Sequence, residues 1–211
     1  MSKSQLGQDI NVLEHYNNKK DGFFVDIGAS DGVSLSNTYI LEKNYNWKGI
    51  CVEPIPHVFT RLQSNRPNSI CINKAIYSSS NVKMKFAIKN FDMCSGLVET
   101  LDPSVTIDNV IYDRSLNYDL NTIVDVYTLT LTDLLKNNNA PEYIDYLSLD
   151  TEGSELEILT SLDFTTYKFG VIDVEHNFVE PRRSQIRNLL ENNGYKFIKE
   201  NNFDDNYVLI E

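Results

Sequence analysis

Phe23-Phe24-Val25-Asp26-Ile27-Gly28-Ala29-Ser30-Asp31-Gly32 decides the reading of the fold. An apolar run ends in an acid, and glycines follow four residues apart at 28 and 32. Residues 34–42 then read as a helix, so the stretch is a buried strand, a tight turn and a helix start. Glycine allows the sharp turn and lets a ligand approach the backbone closely. In open α/β sheets ligands bind at the carboxyl ends of strands, where this turn falls.

The glycine spacing discriminates between ligands. A dinucleotide turn reads G-x-G-x-x-G and offers a helix N-terminus to a pyrophosphate. Here the pattern is Asp26-x-Gly28-x-x-x-Gly32, and the third glycine is missing. The acid repels a phosphate but attracts an ammonium or a sulfonium. S-adenosylmethionine (SAM) carries both groups and no phosphate. It is the cofactor this turn points to, with an ordinary βα turn as the plain alternative.

Composition bounds the rest. With 211 residues, 41% of them hydrophobic, the chain is expected to form one α/β domain over residues 1–211. It contains no apolar run of about 18 residues, so no membrane span is expected. Met1-Ser2-Lys3-Ser4-Gln5 has no apolar signal-peptide region. Cys51, Cys71 and Cys94 are odd in number and lack C-x-x-C spacing. They read as buried thiols in a reducing compartment, which makes the expected location cytoplasmic. A net charge of −11 argues against nucleic acid as a partner, because such a surface repels phosphate backbones.

The remaining chain alternates strands and helices. Residues 5–16 read as a helix, in which Gln8 and Asp9 either face a ligand or are solvated. Ser36, Asn37 and Thr38 either reach the ligand or cap the helix after the turn. A second strand, Gly49 to Val52, ends at Glu53-Pro54. An acid there suits a ribose diol, because a carboxylate accepts two hydroxyl hydrogen bonds; dinucleotide folds use the same device. Asn73, Ala75 and Ile76 follow a third strand and would border an adenine ring. Residues 82–88 alternate apolar and polar and read as an extra strand. Residues 91–122 have no clear period and read as a substrate-side insertion. Two further strands end in acidic clusters on the ligand side. One ends in Asp150-Thr151-Glu152-Gly153-Ser154-Glu155 and the other in Glu175-His176-Asn177. A helix over 181–193 stops at Gly194, and residues 195–199 and 207–210 form a closing pair.

Taken together, these motifs resemble the FkbM family of SAM-dependent methyltransferases. The likeness rests on Ser4-Gln5-Leu6-Gly7-Gln8-Asp9, Phe24-Val25-Asp26-Ile27-Gly28-Ala29, Ser36-Asn37-Thr38 and Gly49-Ile50-Cys51-Val52-Glu53-Pro54. Leu149-Asp150-Thr151-Glu152-Gly153-Ser154-Glu155 and Val174-Glu175-His176-Asn177 complete it. The resemblance implies a Rossmann-like class I methyltransferase: a seven-stranded, mostly parallel sheet with helices on both faces and a C-terminal antiparallel hairpin. It implies methyl transfer from SAM to a hydroxyl, on a sugar of a glycan, a polyketide or another small molecule. The cofactor residues are then Gln8, Asp26, Gly28, Asp31, Gly32, Ser36, Asn37, Thr38, Glu53, Asn73, Ala75, Ile76 and Asp150. Because Met1-Ser2 leads directly into the opening motif, the chain is also expected to be one part of a larger multidomain protein.

Methyl transfer from a sulfonium is an in-line displacement, and a sugar hydroxyl is a weak acid that must lose its proton. Asp150, Glu152, Glu175 and His176 are the candidate bases. His176 has a pKa suited to neutral pH, although it reads equally as a structural histidine. A divalent cation such as Mg²⁺ or Mn²⁺ on Asp150, Glu175 and Asn177 is the rival device. The favoured acceptor is a sugar hydroxyl, and the alternative is a polyketide or other small-molecule hydroxyl. An NAD(P)-dependent oxidoreductase and a non-catalytic binding module are the readings from other classes.

Overall fold

The computed structural model describes residues 2–88, 94–101, 104–107, 110–113 and 123–210. Its centre is a seven-stranded sheet. In chain order the seven strands are β1 (Phe23–Ile27), β2 (Lys48–Val52), β3 (Ile70–Ile72), β10 (Tyr143–Leu149), β11 (Lys168–Glu175), β12 (Tyr195–Asn201) and β13 (Asp204–Leu209). Across the sheet their order is β12-β13-β11-β10-β1-β2-β3. The pairs joining β10, β11, β1, β2 and β3 are parallel. Strand β13 runs antiparallel to both of its neighbours, so the chain's last strand is inserted between β11 and β12.

Apolar residues on consecutive positions of the strands serve both faces, as a fully covered sheet requires. Val25, Ile50, Leu147 and Ile172 face one core with residues of α4 (Leu131–Asn137), α5 (Glu155–Thr160) and α6 (Arg182–Asn192). Phe24, Cys51, Tyr146 and Val171 face the other, with α1 (Gln8–His15), α2 (Tyr39–Tyr45) and α3 (Pro56–Asn65). This is the mostly parallel α/β sheet with a C-terminal antiparallel hairpin that the sequence predicts. Cys51 is a buried free thiol, Cys71 is a partly buried free thiol, and Cys94 is partly buried. Among the described residues no helix is long and apolar enough to cross a membrane.

Two features differ from expectation. The helix after β1 begins at Tyr39, not Ser34. Asp31 takes the Val33 and Ser34 N–H groups at 2.9 and 2.7 Å, and holds 28–38 as a loop. The extra strand expected over 82–88 is present as β5 (Lys83–Ala87), but its place in a second, four-stranded sheet with β4 (Ala75–Ile76), β9 (Ile123–Leu129) and β6 (Gly96–Leu97) was not foreseen. It encloses its own apolar cluster, including Ile55, Met84, Phe86, Leu97 and Val126. Of the expected insertion over 91–122, residues 94–101 and the antiparallel strands β7 (Ser104–Ile107) and β8 (Val110–Asp113) are described. The rest of that reading lies outside the described residues.

Candidate active site

Register brings the site together. Ile27 is level with Val52 on one side and with Leu149 on the other, and Leu149 is level with Val174. The residues that follow, Gly28, Glu53, Asp150 and Glu175, therefore leave the sheet side by side. Glu175 is in turn paired with Asp204, the first residue of β13. One cavity opens over these strand ends, and Asp26, Gly28, Glu53, Asp150, Glu175 and Asp204 all line it.

The loop after β1 forms the first wall. Gly28 has φ +89°, and a Cβ there would meet the Asp150 carbonyl oxygen at 1.8 Å. Only glycine suits both the left-handed backbone and that approach. Asp26 is buried and accepts a 2.6 Å hydrogen bond from Thr38 Oγ1. Burial pushes its carboxyl up, against the opposing pull of Thr38 and Arg66. Ser36 Oγ accepts the Thr38 and Tyr39 N–H groups, starting α2. Asn37 Nδ2 donates to Ser148 Oγ at 3.1 Å, while Asn37 Oδ1 is buried without a partner.

Arg66, which the sequence reading passed over, organises this loop from behind. It is fully buried, and its Nε donates to Glu42 Oε2 at 2.6 Å. Its Nη1 reaches the Gly32 carbonyl, Ser36 Oγ and Thr38 Oγ1. The face of Gly32 is packed against the Arg66 and Leu62 side chains.

Glu53 is buried at the end of β2, and its orientation is set by two backbone donors, Ser30 N–H at 3.1 Å and Ile55 N–H at 2.7 Å. Asn73 braces the same corner by donating to the Glu53 and Pro54 carbonyls. Ala75 and Ile76 line the cavity beside Lys74, with Phe86 and Leu97 of the second sheet nearby.

The opposite wall is acidic. Carboxylate oxygens of Asp150, Glu152 and Glu175 lie within 4.8 Å of one another. Asp150 is exposed at the cavity, whereas Glu152 and Glu175 are buried. Burial, and then the mutual repulsion of the acids, drives the Asp150 and Glu175 carboxyls well above the usual range. Glu175 Oε2 has no hydrogen-bond partner. Asn177 Nδ2 donates to Glu152 Oε2 at 3.4 Å. Glu155 accepts the Thr151 and Gly153 N–H groups and so shapes the loop rather than lining the cavity.

Several expected site residues stand outside the cavity. His176 does not line it. Its Nδ1 accepts the Phe178 N–H at 2.9 Å, and its Nε2 lies 3.4 Å from Asp205 Oδ1. The Nε2 atom is buried without a hydrogen-bond partner, and the ring stands apart from the cavity in which the other candidate bases, Asp150, Glu152 and Glu175, are brought together. Asp31, Gly32, Thr38 and Asn73 also do not line the cavity; each braces a lining residue or its loop. Gln8 and Asp9 are not solvated. Asp9 binds Ser2, Lys3 and Ser4, while Gln8 lines the cavity and donates to Asp204 Oδ2 at 2.7 Å.

Asp204 is the acid that sequence reading missed. It lines the cavity, is 6% exposed, and burial pushes its carboxyl up to about 7. Nothing near it in the sequence marks it. Only the insertion of β13 beside β11 brings it to the ligand side of the sheet.

The cavity fits SAM. The Gly28 loop forms a close-approach cradle, Asn37 Oδ1 is a buried acceptor awaiting a donor, and Glu53 stands at the end of β2. Among the described lining residues Lys74 is the only cation, so this is a poor pyrophosphate site. Fold and strand-end cavity together are those of the class I methyltransferase fold. Residues 26–197 match the Methyltransferase FkbM domain, and the chain belongs to the FkbM methyltransferase family. Among solved structures, methyltransferase FkbM from Methylobacillus flagellatus KT superposes with a TM-score of 0.54 at 13% identity, covering 89% of this chain and 43% of that one. The chain thus spans less than half the length of that protein. The METTL16 MTase domain superposes with the same TM-score of 0.54 at 11% identity, covering 98% of this chain and 67% of that one. At such identities the likeness is one of fold. No curated protein matches the chain in sequence.

Proposed function

We propose that the protein transfers a methyl group from SAM to a hydroxyl oxygen, and that the hydroxyl belongs to a sugar of a glycan. One observation carries the reading. The strand-end register places a nucleoside-type carboxylate, Glu53, and a pair of acids, Asp150 and Glu175, in one cavity. SAM, when bound, supplies an electrophilic methyl group. Gly28, Asn37, Glu53, Ala75 and Ile76 would hold it on the β1–β2 side, leaving the acceptor over β10, β11 and β13.

The protein's own task is alignment and proton removal. Asp150 and Glu175 leave adjacent strands, and burial, then the mutual repulsion of the acids, raises both carboxyls. One carboxyl of the pair would orient the acceptor oxygen, and the other would accept its proton. Burial strengthens both interactions and raises the basicity of the carboxylate.

The test is incubation with SAM bearing a trideuterated methyl group and a panel of free sugars, oligosaccharides and polyketide alcohols. The expected product is heavier by one labelled methyl, carried on a sugar oxygen as read by NMR. Label on a polyketide oxygen would move the acceptor class, and label on carbon or nitrogen would overturn O-methylation. The clustered oxygens of Asp150, Glu152 and Glu175 also favour a second reading, in which Mg²⁺ or Mn²⁺ lowers the pKa of the hydroxyl. Activity that survives thorough chelation would remove it.

A further inference from the structure

The acceptor half of the cavity carries more carboxyl groups than a neutral alcohol requires. Asp150, Glu152, Glu175 and Asp204 line it. The strands behind them are consecutive, β10, β11 and β13, and the acids form a row in which the oxygens of Asp150, Glu152 and Glu175 lie within 4.8 Å of one another. Cations nearby are engaged elsewhere. Arg182 donates to the Gly153 carbonyl at 2.9 Å, while Arg183 and Arg187 bind Asp205. Lys74 belongs to the β3–β4 corner, beside Ala75 and Ile76. The neighbour that Asp204 has is neutral, Gln8.

A second observation is independent of the charge count. Glu175 is only 6% exposed, and its Oε2 is buried with no hydrogen-bond partner. Buried carboxylate oxygens without donors are costly, so an oxygen of this kind in a cavity wall marks the place of a donor that arrives with the ligand.

We infer that the acceptor carries a protonated amino group close to the hydroxyl that is methylated, and that Glu175, flanked by Asp150 and Asp204, receives it. The inference rests on the methyl-transfer reading and deepens it: the acceptor class becomes an amino alcohol, with an amino sugar as the form that matches a glycan. An ammonium has three donors and satisfies Glu175 Oε2 and a neighbouring acid together. A divalent ion gathers oxygens at about 2.0–2.6 Å; it would use the Asp150, Glu152 and Glu175 cluster and leave out Asp204, whose strand end lies two spacings, about 10 Å, from that of β10. Asn177 presents its N–H, not its oxygen, to this cluster.

The test uses the whole chain saturated with S-adenosylhomocysteine, titrated calorimetrically with glucosamine, glucose and N-acetylglucosamine, and separately with Mn²⁺. Glucosamine should bind at least tenfold more tightly than the two sugars without a free amine. Glu175→Gln and Asp204→Asn should each reduce that preference several-fold, with affinity for S-adenosylhomocysteine retained; two variants guard against one that fails to fold. No preference for the amine, or a preference unchanged in both variants, overturns the inference. So does Mn²⁺ binding that depends on Glu175 with no amine preference, which would make the row a metal site. If S-adenosylhomocysteine itself does not bind, the methyl-transfer reading falls, and this inference with it.

Discussion

The carbonyl oxygen of Asp150 stands 1.8 Å from where a Cβ on Gly28 would be. The loops after β1 and β10 thus touch through backbone alone, and Asp150 N–H also donates to the Ile27 carbonyl at 3.1 Å. Any side chain at 28 must push the two strand ends apart. Gly28→Ala combines that displacement with a backbone strained at φ +89°. A residue held in this region costs about 1–3 kcal/mol, roughly five- to 150-fold in affinity if the strain is relieved by losing the bound geometry. S-adenosylhomocysteine affinity, measured with circular dichroism as a check on folding, should fall by at least that factor. Affinity within twofold of the original would show that the contact does not shape the site.

Arg66 should behave as a structural keystone. Its guanidinium and the Glu42 carboxylate are both essentially buried, and the same guanidinium touches Thr38, which holds Asp26. Removing one partner of a buried pair strands the other charge, at a cost of about 3–5 kcal/mol. Urea unfolding of Arg66→Met should show a loss of this size, and Glu42→Gln in the same chain should recover part of it. A loss below about 1 kcal/mol would mean that water reaches the pair.

Asp204 gives stability a definite pH dependence. Its folded pKa, about 7, is above the ordinary aspartate value, so the folded state holds the proton more tightly than the unfolded one. The corresponding stability is fully present below about pH 4 and is lost as pH rises toward 7, up to about 4 kcal/mol by linkage. Asp150 and Glu175 act in the same direction. Asp205 acts oppositely: its carboxyl, despite burial, is held far below the usual range by His176 and Arg183, so its contribution fades only in strong acid. Between pH 5 and 8 the Tm should therefore fall, and Asp204→Asn should flatten the slope. A Tm that rises across this interval would contradict the assignment.

Glu53 offers a cleaner test of the cofactor side. Two backbone N–H groups aim its carboxylate, and the residue lines the cavity. Loss of hydrogen bonds to a charged group costs about 1.5–3 kcal/mol. Glu53→Ala should weaken S-adenosylhomocysteine binding by about 2 kcal/mol, roughly thirtyfold. Unchanged affinity would place the ribose elsewhere.

The sheet was legible because its strands carry uninterrupted apolar runs that end in chemistry: Asp26-Ile27-Gly28, Val52-Glu53, Leu149-Asp150 and Val174-Glu175. These signals are local, and register then aligns them. What escaped was non-local. Asp204 looks like a turn residue until β13 is inserted beside β11, and Arg66 looks like a surface arginine at a helix end until the loop of 28–38 folds over it. His176 follows an acidic strand end in the sequence, yet its ring does not line the cavity: Nδ1 takes the Phe178 N–H and Nε2 faces Asp205. The helix start was misplaced for a similar reason: Asp31 and Ser36 capture backbone N–H groups and delay α2 to Tyr39. The small second sheet joins Ala75–Ile76 to a strand some fifty residues later, Ile123–Leu129, which no local pattern reveals.

The most direct test of the account is a calorimetric titration of the chain with S-adenosylhomocysteine beside one with NAD⁺. The acid at Asp26, the Gly28 cradle and the carboxylate of Glu53 require saturable, micromolar binding of S-adenosylhomocysteine and none of NAD⁺. Binding of NAD⁺ in its place, or of neither, would contradict the account.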